Sequence, residues 1–213
     1  MTTEPTHRAL ILDGRRDDEP TLALAHDALA GGLAAGDWAV DDWRLRDDKI
    51  AWCAGCFKCW TQTPGVCAHR DDGRTVAERW THSDLTIFLT PVTFGGYSSE
   101  LKKALDHVLP ILQPFMQKRR GETRHPQRYA RRRDLLVVGT VPAGQAEGPE
   151  AQTFRRLVER NTRNMQPPRW AVAVLESGAG DWEVRVAVDA LLAKVGVKPA
   201  RDAVDASRQE VVA

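Results

Sequence analysis

All four cysteines of the chain lie between Cys53 and Cys67, inside a segment that we read as a loop over residues 52–72. The first three, Cys53, Cys56 and Cys59, form a Cys-x2-Cys-x2-Cys run. A secreted disulfide scaffold distributes its cysteines along the chain, whereas crowding in one loop indicates metal binding or redox chemistry. Three interpretations stay open: a [4Fe–4S] cluster, redox-active thiols, and structural zinc or inert packing. Zinc is the less favoured metal because its usual pattern is two well-separated pairs of cysteines.

A second segment suited to chemistry covers residues 91–99 and follows an apolar stretch. Gly95-Gly96 permits a positive φ and a close approach of the backbone to a flat ligand. Phe94 and Tyr97 offer rings for stacking, and the backbone amides at the start of the next helix could hydrogen-bond the edge of a heteroaromatic ring. The same composition also suits an ordinary turn between a strand and a helix.

The loop after the first apolar run reads Asp-Gly-Arg-Arg-Asp-Asp-Glu over residues 13–19. Phosphate-binding loops in open α/β sheets are rich in Gly, Ser and Thr, which leave backbone amides free at the start of a helix. Here Arg15 and Arg16 could bind a phosphate through charge-assisted hydrogen bonds. The acidic residues that follow could instead cap the helix and repel an anion.

The elements that must position these loops alternate regularly along the chain. Apolar runs predict strands at 8–12, 38–45, 85–89, 135–138 and 171–175. Apolar residues at helical spacing predict helices at 22–36, 72–82, 101–112, 154–165 and 184–195, the last capped by Asp181. Continuous apolar strands alternating with helices predict an α/β fold: a flavodoxin-like, doubly wound, five-stranded parallel sheet with helices on both faces.

We expect one domain over residues 1–196, with a basic insertion at 114–133 and a C-terminal tail at 197–213. The formal net charge of +1 gives no global field that would attract nucleic acid or an anionic membrane. The first eight residues lack the apolar core of a signal peptide, and no apolar stretch approaches the length of a membrane span. We therefore expect a cytoplasmic protein.

With these residues in view, the chain resembles flavodoxin-like NAD(P)H-dependent FMN reductases, and in particular the branch related to iron–sulfur flavoproteins. The resemblance is closest over residues 50–110. It rests on several short motifs: Cys53-x-Gly55-Cys56-x-x-Cys59-Trp60, Thr63-Pro64-Gly65-x-Cys67, Asp71-Asp72, Ser83-Asp84, Thr90-Pro91-Val92-x-Phe94-Gly95-Gly96-Tyr97-Ser98 and Leu101-Lys102-x-Ala104-Leu105-Asp106.

The resemblance implies an FMN whose isoalloxazine ring lies against the loop at 91–99, with the loop at 139–148 on its other side. It implies reduction by NADH or NADPH, and assembly as a homodimer or homotetramer. Iron–sulfur flavoproteins hold a [4Fe–4S] cluster with a cysteine motif of this spacing, whereas other relatives keep similar cysteines without a cluster. The candidate cofactor-binding residues are Gly14, Arg15, Arg16, Pro91, Val92, Thr93, Phe94, Gly95, Gly96, Tyr97, Ser98, Gly139 and Thr140, and the candidate metal ligands are Cys53, Cys56, Cys59 and Cys67.

We therefore expect an NAD(P)H-dependent FMN oxidoreductase that passes electrons to a small quinone, nitro or azo acceptor, or to an electron-transfer partner. Such chemistry requires the protein to position two rings, and it needs no catalytic side-chain acid or base. One alternative is a non-enzymatic electron carrier without a nicotinamide site. Another is a flavin-free thiol or zinc sensor on the same fold, which the acidic first loop favours.

Overall fold

A computed structural model describes residues 5–197 of the protein. It contains seven strands: β1 (His7–Asp13), β2 (Trp38–Arg44), β3 (Leu85–Pro91), β4 (Gln117–Arg119), β5 (Glu122–Arg124), β6 (Asp134–Val141) and β7 (Trp170–Glu176). Five of them form one parallel sheet in the order β2-β1-β3-β6-β7, and β4 and β5 pair as a separate antiparallel hairpin. The predicted five-stranded parallel sheet is confirmed.

Residues 5–197 also contain six α-helices: α1 (Pro20–Ala35), α2 (Lys58–Thr61), α3 (Val76–His82), α4 (Ser99–Asp106), α5 (Pro149–Met165) and α6 (Asp181–Lys194), of which α6 follows the last strand. Short 3-10 turns lie at Leu45–Asp47, Asp72–Thr75 and Leu109–Ile111. None of these helices is long and apolar enough to cross a membrane.

The helices cover both faces of the sheet and divide the core into two layers. On one face, α1 and α6 pack against the sheet through apolar residues such as Leu29 and Val188. On the other face, α3, α4 and α5 contribute residues such as Trp80, Leu101 and Phe154. Successive residues of β3 enter opposite layers, as expected for a strand that is buried on both sides. The strand order reverses between β1 and β3, and open sheets of this kind bind ligands at the carboxyl ends of those strands.

Two predictions about helix ends were wrong, and the helix predicted over 154–165 begins earlier, at Pro149. The helix predicted over 101–112 ends at Asp106, and a 3-10 turn containing Pro110 follows it. Proline lacks the amide hydrogen that a continuing helix requires, so the apolar spacing beyond Asp106 does not extend the helix. Asp181 is the first residue of α6 and not its cap, because Gly180 occupies the cap position and Asp181 pairs with Arg185.

The basic insertion contains the β4–β5 hairpin, which the sequence analysis did not predict. Arg120 and Gly121 link the two strands, with φ of 52° and 79°. Two central residues with positive φ are typical of the type I′ turn that suits a two-residue hairpin loop. Of the predicted tail at 197–213, only Val197 lies within the described residues.

Candidate functional site

The carboxyl ends of β1 and β3 are joined by a hydrogen-bond network centred on Ser98. The Ser98 hydroxyl donates to the Gly14 carbonyl at 2.6 Å and accepts from the Leu101 amide at 3.2 Å, so it also caps α4. The Gly14 amide donates to the Leu89 carbonyl at 2.8 Å. A Cβ on Gly14 would lie 2.6 Å from Leu101 Cβ, so a side chain at this position would push the two loops apart.

Residues 93–96 form a tight turn at the end of β3. The Thr93 amide donates to the Gly96 carbonyl at 3.0 Å, and the Gly96 amide donates to the Thr93 carbonyl at 2.9 Å. Phe94 and Gly95 between them have φ of 50° and 73°. The backbone amides of Phe94, Gly95 and Tyr97 make no hydrogen bond within residues 5–197. The turn therefore presents three unused donors at the switch point of the sheet.

The turn and the end of β3 pack against α5 and β6. A Cβ on Gly95 would lie 2.7 Å from Cγ2 of Thr153 on α5, so the backbone approaches this helix closely. At the end of β6, a Cβ on Gly139 would lie 2.6 Å from the Phe154 ring. Thr140 is buried, and its carbonyl accepts from the Val92 amide at 2.8 Å. The predicted residues of the 91–98 segment and of the Gly139-Thr140 pair are thus brought together.

The two aromatic residues of the turn face different surroundings. Phe94 is 92% exposed, so its ring is free to cover a ligand. The Tyr97 ring packs edge-on against Phe88 and Phe154, and its hydroxyl accepts a hydrogen bond of 3.1 Å from Asn161 Nδ2. Burial raises the pKa of Tyr97 to about 12, so the hydroxyl stays protonated at neutral pH. Tyr97 therefore anchors the turn to the core.

The two arginines of the first loop lie in different environments. Arg15 is buried and forms a bidentate ion pair with Asp13, in which Arg15 Nε lies 2.9 Å from both carboxylate oxygens. Burial lowers the pKa of Arg15, but the hydrogen bond to Asp13 and the negative charges of Asp13, Asp27 and Asp42 together outweigh it, so the net shift is upward. Arg16 is exposed, and its guanidinium makes no ion pair or hydrogen bond in the described part of the chain. Of the two, Arg16 has the guanidinium available to an incoming anion.

The acidic residues of the first loop have structural roles. Glu19 caps α1, because its Oε2 atom accepts a hydrogen bond of 2.8 Å from the Leu22 amide. Asp18 pairs with Arg44 and Arg46, and the hydrogen bond from Arg46 holds the pKa of the Asp18 carboxyl below its usual range. The predicted helix capping by this acidic run is confirmed for Glu19. A carboxylate therefore already occupies the start of α1, where a phosphate would otherwise receive amide hydrogen bonds.

Glu176, at the end of β7, organises the loop after β6 and was missed by the sequence analysis. Its carboxylate accepts a hydrogen bond of 2.9 Å from the Ala146 amide, and hydrogen bonds from the Gly144 and Ala146 amides lower its pKa. A Cβ on Gly144 would meet nothing within 4 Å, so this part of the loop is open. The sequence signal that could have identified Glu176 was its position, as an acidic residue directly after the apolar run of a core strand.

The four cysteines are all free thiols in unequal environments. Cys53 and Cys56 are exposed, whereas Cys59 and Cys67 are buried, and burial raises the pKa of both buried thiols. Within residues 5–197, no group of three or more His, Cys, Asp or Glu side chains is arranged to hold a metal ion. The predicted [4Fe–4S] ligation by Cys53, Cys56, Cys59 and Cys67 therefore receives no support from this arrangement.

The base of the cysteine loop is fixed at Ala51. Its amide donates to Asp71 Oδ2 at 2.9 Å, and its carbonyl pairs with Nε2 of the buried His107 at 2.9 Å. Further along the loop, the Trp60 indole donates to the Leu109 carbonyl at 3.2 Å, and its ring lies 4.9 Å from the His125 ring. The loop is therefore anchored to the segment after α4 and to the insertion.

Comparison with known proteins agrees with this fold. The family model described as NADPH-dependent FMN reductase matches residues 13–174. No curated protein matches the chain.

Solved structures share the fold at low sequence identity. A putative quinone reductase from Klebsiella pneumoniae has a TM-score of 0.63 and 13% identity, covering 91% of this chain and 87% of its own. The NAD(P)H:quinone oxidoreductase from Methanothermobacter marburgensis has a TM-score of 0.61 and 15% identity, covering 85% of this chain and 90% of its own. An FMN-dependent NADH-azoreductase from Bacillus anthracis str. Ames Ancestor, solved in complex with FMN, has a TM-score of 0.58 and 11% identity. The match covers 86% of this chain and 94% of the azoreductase chain. Because the family model spans most of the chain, this protein belongs to the NADPH-dependent FMN reductase family and is an oxidoreductase.

Proposed function

We propose that the protein binds FMN at the turn after β3 and uses NADPH or NADH to reduce a small acceptor of the quinone, nitro or azo type. One observation carries this proposal: the amides of Phe94, Gly95 and Tyr97 are unused donors at the switch point of the sheet. Family membership supports FMN as the ligand, and the names of the similar structures support quinone and azo compounds as acceptors.

The turn suits the ring system of FMN. The three amides would hydrogen-bond the polar edge of the isoalloxazine ring, and the exposed Phe94 ring would cover one part of it. Since the turn rests on Thr153, its donors are held before the ligand arrives. When bound, FMN supplies the two-electron redox chemistry, while the chain binds the ring, orients it and excludes water on one side.

The first loop suits the flavin phosphate less well. Arg15 is committed to Asp13, and the Glu19 carboxylate occupies the start of α1. We therefore assign the phosphate contact to Arg16, whose guanidinium is exposed. Gly14 contributes by letting the first loop pack against α4.

A steady-state assay tests the proposed activity. The purified chain, loaded with one equivalent of FMN and freed of excess FMN, is expected to oxidise about one equivalent of NADPH or NADH alone, and to turn over repeatedly only when a quinone or azo acceptor, or oxygen, reoxidises the flavin. An electron carrier would need an added reductase, and a flavin-free sensor would oxidise neither nucleotide. Absence of NAD(P)H oxidation by protein that has bound FMN would contradict the proposal.

The cluster and the oligomer remain predictions with separate tests. Iron and sulfide analysis of anaerobically purified protein would detect a [4Fe–4S] cluster, and thiol counting would detect free cysteines. Light scattering would distinguish a homodimer or homotetramer from a single chain of 23.7 kDa.

A further inference from the structure

A pocket of about 610 Å³ lies at the edge of the sheet opposite the proposed flavin site. It is bounded by the tip of the β4–β5 hairpin, the C-terminal end of α5 and the start of β7. Because β7 runs from Trp170 to Glu176, its two ends are about 20 Å apart, and the pocket is a separate place on the molecule. Its volume falls within the range of small-molecule sites.

The lining of this pocket is strongly positive and contains no acidic residue. Five arginines contribute to it: Arg119, Arg120, Arg124, Arg132 and Arg163. The nearest acidic partners lie outside the lining, where Glu122 pairs with Arg160 and Arg163, and Glu159 pairs with Arg163. These acids neutralise part of the charge behind the pocket and leave its interior cationic.

Several of the arginines are held in place by the protein itself. Arg124 donates to the Arg163 carbonyl at 2.7 Å and to the Arg119 carbonyl at 3.0 Å. Arg119 and Arg132 both donate to Gln166 Oε1, at 2.8 Å and 3.1 Å. The hairpin and the end of α5 thus hold the guanidinium groups together despite their mutual repulsion.

Two donors in the pocket are buried and lack an acceptor. Arg124 Nε and Gln166 Nε2 are inaccessible to solvent and have no hydrogen-bond partner among the described residues. A buried donor without an acceptor is destabilising, and an anionic ligand would provide the missing acceptor once either side chain rotates toward the pocket. Both observations, the charge and the unpaired donors, indicate a ligand with several anionic oxygens.

We propose that this pocket binds a small molecule that carries a diphosphate group. Guanidinium groups pair with phosphate oxygens in a bidentate manner, and adjacent arginines match two linked phosphates better than one carboxylate. Trp170, which is 38% exposed, and the Pro167-Pro168 pair form an apolar wall suited to an organic group attached to the diphosphate. The proposal does not depend on flavin binding at the other edge of the sheet.

Isothermal titration calorimetry of the full chain with inorganic pyrophosphate, and separately with ADP, tests this proposal. Arg124→Gln is expected to weaken pyrophosphate binding at least tenfold, because it removes a charge and an unpaired donor from the pocket. Arg120→Gln is expected to weaken pyrophosphate binding about threefold. The Arg120 side chain makes no hydrogen bond in the described structure, so it contributes charge alone.

Two variants serve as matched controls. Arg156→Gln removes an exposed charge from α5 outside this pocket, and Arg185→Gln removes an exposed charge from α6, away from both proposed sites. Neither is expected to change pyrophosphate binding. If Arg124→Gln fails to fold because it loses its backbone hydrogen bonds, Arg120→Gln and the double variant Arg120→Gln/Arg132→Gln decide the result.

The outcomes distinguish specific binding in the pocket from non-specific attraction of an anion to the positively charged surface. Tighter binding of ADP than of pyrophosphate, lost in Trp170→Leu, would support a nucleoside diphosphate as the ligand. Equal binding of both would support recognition of the diphosphate alone. Absence of binding at millimolar concentrations, or equal weakening by pocket and control variants, would overturn the proposal.

Discussion

Single residues determine how the site is built. Two glycines, Gly14 and Gly95, allow close packing because they have no side chain. Gly14 has no room for a Cβ because Leu101 and Ser98 lie against it, and this contact holds the β1 and β3 loops together. Gly95 has no room for a Cβ because Thr153 lies against it. The sequence could predict the need for glycine at Gly95-Gly96, but not which helix the turn contacts, because Thr153 is distant along the chain.

The cysteine pairs are expected to react with alkylating reagents at different rates. At neutral pH, iodoacetamide should modify Cys53 and Cys56 first, because they are exposed. Cys59 and Cys67 should react more slowly, by roughly tenfold or more, because burial both shields them and raises their pKa. Mass spectrometry after digestion measures the four rates. Equal rates under native conditions would contradict the described loop, and equal rates in denaturant are the control.

At the scale of elements, Glu19 at the start of α1 and His26 within α1 make electrostatic interactions that can be tested. Glu19 at the start of α1 closes a position that would otherwise receive an anion. His26 on α1 joins that helix to β2, since its Nε2 lies 2.8 Å from Asp42 and its Nδ1 lies 2.9 Å from Asp27. These contacts lead to two predictions. One concerns the preference for FMN over riboflavin, and the other concerns how the free energy of unfolding depends on pH.

Glu19→Gln is expected to favour FMN over riboflavin. The amide oxygen can still cap α1, but the negative charge that opposes the flavin phosphate is gone. The ratio of the riboflavin Kd to the FMN Kd should rise by about fivefold, which corresponds to about 1 kcal/mol. Fluorescence titration measures both constants. Glu183→Gln, which removes an acidic residue from the first turn of α6, is the matched control and should leave the ratio unchanged.

The His26 contacts should stabilise the protein more at low pH than at high pH. Burial lowers the pKa of His26, but the hydrogen bonds to Asp27 and Asp42 and the negative charge of Asp42 together outweigh it and raise the pKa above its ordinary value. The stabilisation is therefore fully present below about pH 6.5 and is lost as the pH rises through the raised pKa of the folded state. We expect His26→Gln to lower the free energy of unfolding by up to about 1 kcal/mol at pH 6 and by less at pH 9.

Urea denaturation at the two pH values measures this difference. In an Asp42→Asn background, the pH dependence of the His26→Gln effect should shrink, because one of the two carboxylates is absent. A larger effect of His26→Gln at pH 9 than at pH 6 would show that the ion pairs are not the cause.

At the scale of the whole molecule, the sheet separates two proposed sites, one with neutral and acidic groups and one with a strongly positive lining. The carboxyl edge presents neutral amide donors and an acidic first loop, and the amino edge presents a cluster of arginines. The sequence predicts a ligand site at the first edge, because the alternation of strands and helices and the short motifs indicate it. It could not predict the second, because β4 and β5 are short polar strands without apolar alternation, and the arginines come from segments that meet only in the fold. The cysteine spacing likewise could not show that two thiols are buried and two are exposed.

The central claim is that the turn after β3 binds the flavin ring, and titration of the purified apoprotein with FMN tests it most directly. Gly95→Ala places a Cβ 2.7 Å from Thr153 at a φ of 73°, so it should displace the turn. Gly96→Ala is the matched control, because its Cβ would meet nothing closer than 3.4 Å and its φ is not in the left-handed region. We predict that the wild type and Gly96→Ala quench FMN fluorescence with similar Kd values, and that the Kd of Gly95→Ala is at least tenfold higher. A folded Gly95→Ala protein that binds FMN as tightly as the wild type, or a wild type that binds no FMN, would contradict the account.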